Sequence, residues 1–286
     1  MAAPARERRR STAARAEALR LEGSRLTASG NYRAANAAYR RALRLAERCD
    51  PPDVLLFAAV LNDFGVLCKF TGKFADAEKM YRRAVKLVRR ATGGRSHEAA
   101  HFLATLHHNL GGIEHARGRY APALMHARKG VALRKGIRPR DRLALAADEA
   151  ALAAILADMG RSSEGARIYR RVVRYYGRVL GERHYETGTA WASLGALCWK
   201  MGGGAAAERD LRRGIRILES ILGRNHPRIA SAMNNLAVVC AGRGKIREAG
   251  ELYKRVLWIL ARQKGTTYPP REVVKRNYAK LSNGAA

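Results

Sequence analysis

Residues 223–256 read GRNHPRIASAMNNLAVVCAGRGKIREAGELYKRV, and this stretch decides the fold. Small and apolar residues recur three or four positions apart on both sides of Gly244, from Ala237 and Cys240 to Tyr253. That spacing is typical of amphipathic helices. A glycine readily adopts positive φ and ends a helix, so the stretch predicts two helices joined by a tight turn at Gly244.

The same pattern recurs along the chain. The small residue in the first helix of each unit serves as its landmark, and successive landmarks lie 42, 46, 42, 42 and 42 residues apart. The landmarks are Gly23, Gly65, Gly111, Ala153, Gly195 and Ala237. Seven residues after each landmark comes a glycine: Gly30, Gly72, Gly118, Gly160, Gly202 and Gly244. Small residues at landmark plus twelve would let the two helices approach, and aromatic residues at plus sixteen would fill space between units.

The motifs at the helix starts resemble a known family. Gly223-Arg-Asn-His-Pro227 followed by Met233-Asn-Asn-Leu-Ala237 is similar to the 42-residue tetratricopeptide repeat of kinesin light chains, as are Gly181-Glu-Arg-His184 and Gly93-Gly-Arg-Ser-His97. The resemblance implies an all-α, right-handed superhelical solenoid of helix-turn-helix repeats. It covers the repeat region only, because no heptad segment for motor binding accompanies it, and a motor subunit is not expected.

Six repeats organise the chain. Their expected bounds are 12–50, 51–92, 93–138, 139–180, 181–222 and 223–262. A basic N-terminal tail, residues 1–11, precedes them, with the first helix expected from about Ser11. Residues 263–286 comprise a linker, a tail and a cap helix from Glu272 to Leu281, since a solenoid needs a solvating cap.

Stacked repeats would line a concave groove with their first helices. In the family, the groove includes residues three and two before the landmark and four after it. Asparagine side chains there would pair with a peptide backbone, cations would meet carboxylates, and Trp199 would stack on an apolar group. The candidate peptide-binding residues are Arg20, Asn62, Asp63, Lys69, His108, Asn109, His115, Trp199, Lys200, Asn234 and Asn235. The alternative is that some of them brace neighbouring helices.

Charge indicates the kind of partner. Lys plus Arg number 55 against 24 Asp plus Glu, a formal charge of +31. Basic pairs recur seventeen and eighteen residues after each landmark and should point outward from the second helices. These basic-ribbon residues are Arg40, Arg41, Arg82, Arg83, Arg128, Lys129, Arg170, Arg171, Arg212, Arg213, Lys254 and Arg255. We expect a protein adaptor or scaffold that binds an acidic peptide segment; the alternative is nucleic-acid or anionic-surface binding through the ribbon.

The third repeat is unusually polar. His107, Glu114 and Glu149 occupy positions that are small or apolar in the other repeats, which indicates either a buried network or a slightly rotated helix. Rotation is the favoured interpretation, with Leu106 and Leu110 contributing to the apolar face. His101, His108 and His115 share one helix face, but a two-turn separation of roughly 10 Å is too long for shared metal ligation.

Several classes are not expected. Phosphate-loop, dinucleotide, serine-hydrolase and zinc-protease motifs are absent from the sequence, so we expect no enzyme, cofactor or metal. The four cysteines, Cys49, Cys68, Cys198 and Cys240, form no paired motif and are expected to be packed free thiols. A cytoplasmic location is expected, with import through the arginine-rich N-terminus as the alternative.

Overall fold

A computed structural model describes residues 3–49, 52–93, 96–138, 141–262 and 269–282, with side chains from Thr12 to Leu281. Within these ranges the chain is α-helical apart from turns, loops and one 3₁₀ turn. It forms two compact units, Met1–Ala151 and Leu152–Ala286. The expected all-α fold of helix-turn-helix repeats is confirmed.

The first helix of each repeat is here called the A helix and the second the B helix. The A helices are α1 (Ala3–Ala28), α3 (Val54–Phe70), α5 (His97–Ala116), α7 (Arg142–Asp158), α9 (Tyr185–Lys200) and α11 (Ala230–Gly242), the last preceded by a 3₁₀ turn at Pro227–Ile229. The B helices are α2 (Tyr32–Glu47), α4 (Phe74–Thr92), α6 (Tyr120–Gly136), α8 (Ser162–Val179), α10 (Gly204–Leu222) and α12 (Ile246–Ala261).

One helix start differs from the expectation. Helix α1 begins at Ala3, ahead of the expected start near Ser11, and the side chains of the basic stretch 1–11 lie outside the described residues. Helix α5 begins at His97, because Ser96 caps it by accepting a hydrogen bond from the Ala99 amide. Two histidines act at other helix starts: the Nδ1 atoms of His184 and His226 accept from backbone amides at 3.2 Å.

The turn glycines have the predicted conformation. All six turn glycines, Gly30, Gly72, Gly118, Gly160, Gly202 and Gly244, have φ between 70° and 80°. That region strains side chains that carry a Cβ atom. In each repeat the residue after the glycine donates its amide back to a carbonyl in the last turn of the A helix, for example Lys73 to Cys68 at 2.8 Å. This closure sends the B helix back along the A helix.

Close helix approach depends on the landmark residues. A methyl group added at Gly65 would lie 2.6 Å from Cε1 of Tyr81, the aromatic residue at plus sixteen. Tyr81 is fully buried, and its ring packs directly on the backbone of its own A helix. Tyr39 also reaches the next repeat, because its ring stacks on Phe64 with centroids 5.6 Å apart. The aromatic position therefore joins helices both within and between repeats.

The C-terminal cap forms as expected. Helix α13 spans Arg271–Ser282 and buries Val274 completely. The rings of Tyr253 on α12 and Tyr278 on α13 lie 6.0 Å apart. This helix covers the apolar face that the last repeat would otherwise expose. No helix among the described residues combines the length and apolar character that crossing a bilayer requires.

Candidate functional site

The A-helix face of the first unit carries a chain of polar contacts between successive repeats. Arg20 on α1 forms an ion pair with Asp63 on α3, and the Ser24 hydroxyl donates to the same carboxylate at 3.3 Å. Asn109 on α5 donates to Asn62 Oδ1 at 2.8 Å, and Asn62 in turn donates to Asp63 Oδ1 at 3.0 Å. Apart from Ser24, these side chains were predicted to contact a peptide, and here they join the A helices to one another.

The chain of contacts continues at the third repeat. His108 Nδ1 lies 2.9 Å from Asp148 Oδ1 on α7. Most of the predicted groove residues of this unit therefore have protein partners already, as the bracing alternative anticipates. His115 lies beside Tyr120, with ring centroids 5.8 Å apart.

Lys69 differs from its neighbours. Its ammonium group lies against Gly112, where an added methyl group would be 3.6 Å from Nζ. Surrounding protein removes water from the ammonium group and lowers the pKa of Lys69. No carboxylate among the described residues pairs with it. Lys69 is thus a donor on the A-helix face that remains available for a ligand.

An open cavity of about 680 Å³ lies on the A-helix face of the first unit. Its described lining residues come from the A helices α1, α3 and α5 and from the Asp53 cap. Its apolar lining includes Leu55, Leu56 and Phe102. Its charged lining is mainly acidic, with Glu17, Asp53 and Glu98 against Arg20 and His101. Arg20 is neutralised twice, because Glu17 also accepts from its guanidinium at 2.7 Å.

The second unit places its predicted groove residues differently. Trp199 packs over the Cα atom of Gly242 on α11, and Lys200 donates to Asp158 at 3.1 Å. Asn234 is buried and lies 3.5 Å from Asn277 of the cap helix, so it supports that helix. Asn235 is half-buried, and its amide has no hydrogen-bond partner among the described side chains.

The basic ribbon is exposed as expected, apart from the half-buried Arg212 and Arg255. Many of its guanidinium groups are nevertheless paired with carboxylates. Arg83 donates to Glu47 at 2.7 Å, and Arg213 donates to Glu182 at 2.8 Å. These two also cover aromatic rings, Arg83 over Phe57 and Arg213 over Trp191. Much of the ribbon charge is therefore balanced within the protein.

The interpretation of α5 as a rotated helix was wrong. His107 and Glu114 are buried, and so are Leu106, Leu110 and Ile113, so this helix is enclosed on nearly all sides. The polar residues belong to buried contacts. Glu114 pairs with Arg119, and His107 Nδ1 lies 2.9 Å from His126 Nδ1 on α6. Glu149, also buried, has the Lys135 ammonium 3.6 Å away.

Sequence reasoning missed a buried ion pair. Arg134 on α6 donates from Nε to Asp148 Oδ2 at 2.9 Å, and it also contacts His101 Nδ1 at 3.1 Å. Comparison of equivalent positions in the six repeats contains a signal for this ion pair. At landmark plus twenty-three the other repeats have only apolar residues, namely Ala46, Val88, Tyr176, Leu218 and Leu260. At landmark minus five, the position of Asp148, they also have only apolar residues: Ala18, Val60, Leu106, Ala190 and Ala232.

One cluster has the composition of a metal site. Ligand atoms of Glu208, Cys240 and Glu248 lie within 4.8 Å of one another. Arg212 donates to both carboxylates, and Lys245 donates to Glu208 at 2.6 Å. Burial raises the pKa of the Cys240 thiol to about 11, which disfavours the thiolate that a metal requires. The cluster is an ion-pair network. The four cysteines are free thiols, with Cys68, Cys198 and Cys240 buried, as predicted.

Comparison with known proteins shows the family. Tetratricopeptide repeat models match residues 56–136, 189–261 and 150–186, so the chain belongs to the tetratricopeptide repeat family. No curated protein sequence matches significantly.

Solved structures with the same fold include kinesin light chain-like proteins. BtubC (BKLC) from P. vanneervenii is 18% identical, with a TM-score of 0.60 over 73% of this chain and 82% of that one. A Podosopora anserina putative kinesin light chain with TPR-like repeats is 22% identical, with a TM-score of 0.55 over 70% and 93%. The quorum sensor NprR from B. thuringiensis, in its apo form, is 11% identical, with a TM-score of 0.65 over 93% and 68%. At these identities the similarity shows the fold.

Proposed function

We propose that this protein is a non-catalytic interaction scaffold that binds a segment of a partner protein on the A-helix face of its first unit. Tetratricopeptide repeats are typical of protein-interaction scaffolds. The observation that carries the proposal is the open cavity formed by α1, α3 and α5. Repeat proteins bind through surfaces of this kind, which stacked equivalent helices form together.

The lining of this cavity indicates the character of the segment. Leu55, Leu56 and Phe102 offer an apolar floor, and burial of apolar side chains would supply most of the binding free energy. Glu17, Asp53 and Glu98 also line the cavity, so the local negative charge favours basic or neutral residues over acidic ones. The sequence led us to expect an acidic segment. For this cavity we instead propose an amphipathic segment with apolar anchors and a basic residue near the rim.

Hydrogen-bond donors would orient the segment. Most candidate asparagines bond to neighbouring helices, so they hold the surface in shape rather than reach for a ligand. Lys69, near the end of α3, is exposed and has no carboxylate partner among the described residues, so its donors are available to a ligand on the first unit. In this proposal Lys69 meets a backbone carbonyl or a carboxylate of the bound segment.

Selection from a displayed library of short peptides tests this proposal. The full chain is the target, and the selected peptides are measured by fluorescence anisotropy. Ala14 is exposed and lines the cavity, so Ala14→Trp should obstruct it and weaken binding more than tenfold. Ala37→Trp is the matched control on the B helix α2, at an equally exposed alanine, and should leave affinity unchanged.

Two outcomes would contradict the proposal. One is a set of selected peptides whose affinity does not respond to Ala14→Trp. The other is a consensus of acidic residues without apolar anchors. Unaltered circular dichroism and thermal unfolding of both variants would show that the affinities report binding rather than misfolding.

A further inference from the structure

A second cavity, of about 380 Å³, lies between α4, α5 and α6. It is distinct from the A-helix cavity, because B helices α4 and α6 supply most of its lining. Four of its cations lie on one face of α4, at i, i+4, i+7 and i+8, and the fifth lies on α6. The five are Arg82, Lys86, Arg89, Arg90 and Lys129. No carboxylate of the described residues lines the cavity.

The buried histidine pair belongs to this cavity. His107 and His126 both line it, yet their side chains are only 3% and 4% exposed. Their Nδ1 atoms lie 2.9 Å apart, so one ring donates and the other accepts. Each ring also has a buried Nε2 atom with no hydrogen-bond partner among the described residues. The ring that accepts at Nδ1 carries its proton on Nε2, so the pair that lines the cavity includes a buried N–H donor without an acceptor in that part of the chain.

The electrostatics of the cavity are unbalanced. Burial lowers the pKa of Lys129, and Arg89 lowers it further. Burial lowers the pKa of His107 to about 3, with added effects from His126, Lys129 and Arg89.

The nearest acids do not compensate. Glu78 bonds to Arg82, Arg117 and Arg119, and Glu114 pairs with Arg119 and lies 3.9 Å from Arg82. Lys86, Arg89, Arg90 and Lys129 have no carboxylate partner among the described residues. Bringing like charges together around a desolvated donor is unfavourable unless an anion is also present.

We propose that this cavity binds an anion with a phosphate-type group, which the cations of α4 and Lys129 surround and to which the buried histidine pair donates. Arginine side chains bind phosphate through forked hydrogen bonds, and a phosphate has oxygens on all sides for donors from two helices and a cavity floor. A carboxylate has oxygens on one side only and a single charge, so it would satisfy fewer of these donors. The site goes beyond the proposed scaffold function and does not depend on it.

The test uses the full chain and two probes, inorganic phosphate and pyrophosphate, at constant ionic strength. Binding is followed by NMR of the histidine rings and by calorimetry. We expect saturable shifts of His107 and His126, with acetate binding at least tenfold more weakly than phosphate. A short phosphoserine peptide then distinguishes free phosphate from a phosphorylated protein as the source, according to which binds more tightly.

Matched variants separate a site from general charge attraction. Arg89→Gln with Lys129→Gln removes two cavity cations and should weaken pyrophosphate binding at least tenfold. Arg174→Gln with Arg178→Gln makes the same change in net charge on α8, where both side chains donate to backbone carbonyls, and should alter affinity less than twofold. Equal weakening by both pairs would show nonspecific attraction and overturn the proposal.

A second substitution tests the histidine floor. His107→Leu with His126→Met installs the residues that repeat two has at the same positions, Leu61 and Met80, so the fold should tolerate it. We expect pyrophosphate affinity to fall at least fivefold while circular dichroism stays unchanged. Full affinity in this variant, or the absence of histidine shifts with the wild-type chain, would refute a site built on this pair.

Discussion

Arg134 and Asp148 form a buried ion pair between the third and fourth repeats, with Nε and Oδ2 2.9 Å apart and exposures of 5% and 4%. At the preceding junctions the corresponding residues are Ala46 with Val60 and Val88 with Leu106, all buried and apolar. Two charges have thus replaced two apolar residues that pack in the core. Each charge is tolerated because the other is present, since an unpaired buried charge is strongly destabilising.

Exchanging this pair for the residues of the second junction should reveal their coupling. Arg134→Val alone leaves Asp148 buried with His108 as its one side-chain partner among the described residues, and we expect a loss of about 3–5 kcal/mol in the free energy of unfolding. Asp148→Leu alone should cost a similar amount. The double variant should recover most of the loss, as measured by urea denaturation in a double-mutant cycle. Additive losses would contradict the pairing.

The sequence predicted the repeat architecture well because that architecture depends on local constraints. Gly72 must end a helix and Gly65 must admit Tyr81, and both requirements recur at fixed offsets. The A-helix contacts were less predictable. The position of Asn62 in the repeat places it on the A-helix face. Whether its side chain contacts a ligand or Asn109 depends on the distance to the next A helix.

The polar interior of the third repeat shows a second limit. His107 and His126 come from different positions in the repeat, so only their contact in the fold explains why both are polar. When one helix is considered alone, it offers a polar core residue no partner, so the sequence favours a rotated helix. The partner lies on α6, nineteen residues further along the chain.

The landmark glycines set how closely the two helices of a repeat approach. Gly65→Ala would place a methyl group 2.6 Å from the Tyr81 ring, and we expect it to cost about 1–3 kcal/mol of stability through overpacking. Gly136→Ala, at a helix end with open space around it, should change stability by less than about 0.5 kcal/mol. Thermal unfolding compares the two. Equal stability of both variants would contradict the close packing.

Acid should destabilise the protein through the histidine pair. The pKa of His107 is about 3 in the folded chain and about 6.5 when unfolded, so the unfolded chain binds more protons between these values. The contribution of the neutral His107 ring to the free energy of unfolding is complete above about pH 6.5. It is lost as the pH falls, by about 1.4 kcal/mol per pH unit for one such group. Burial keeps the folded rings neutral, and the charges of Arg82, Arg89 and Lys129 add to its effect.

Urea denaturation from about pH 6.5 to 5 measures this slope. The range lies above the titration of ordinary carboxylates, so histidines dominate it. His107→Leu with His126→Met should flatten the slope, whereas His97→Gln, which removes an exposed histidine, should preserve it. An unchanged slope in the double variant would show that the pair does not control acid stability.

Nucleic-acid binding through the basic ribbon should be weak and sensitive to salt. Arg83 and Arg213 are neutralised by carboxylates, whereas Arg41 and Arg128 have no bonded partner among the described residues. For a short duplex we expect a Kd no tighter than about 1 µM at physiological salt, as for nonspecific contacts with phosphates.

Arg41→Gln with Arg128→Gln should reduce the dependence of log K on log salt by about two phosphate contacts. Arg40→Gln with Arg83→Gln, whose guanidinium groups already bond to Asn36 and Glu47, should reduce it less. Fluorescence anisotropy at several salt concentrations measures both, and tight binding that resists salt would instead identify the ribbon as a dedicated nucleic-acid surface.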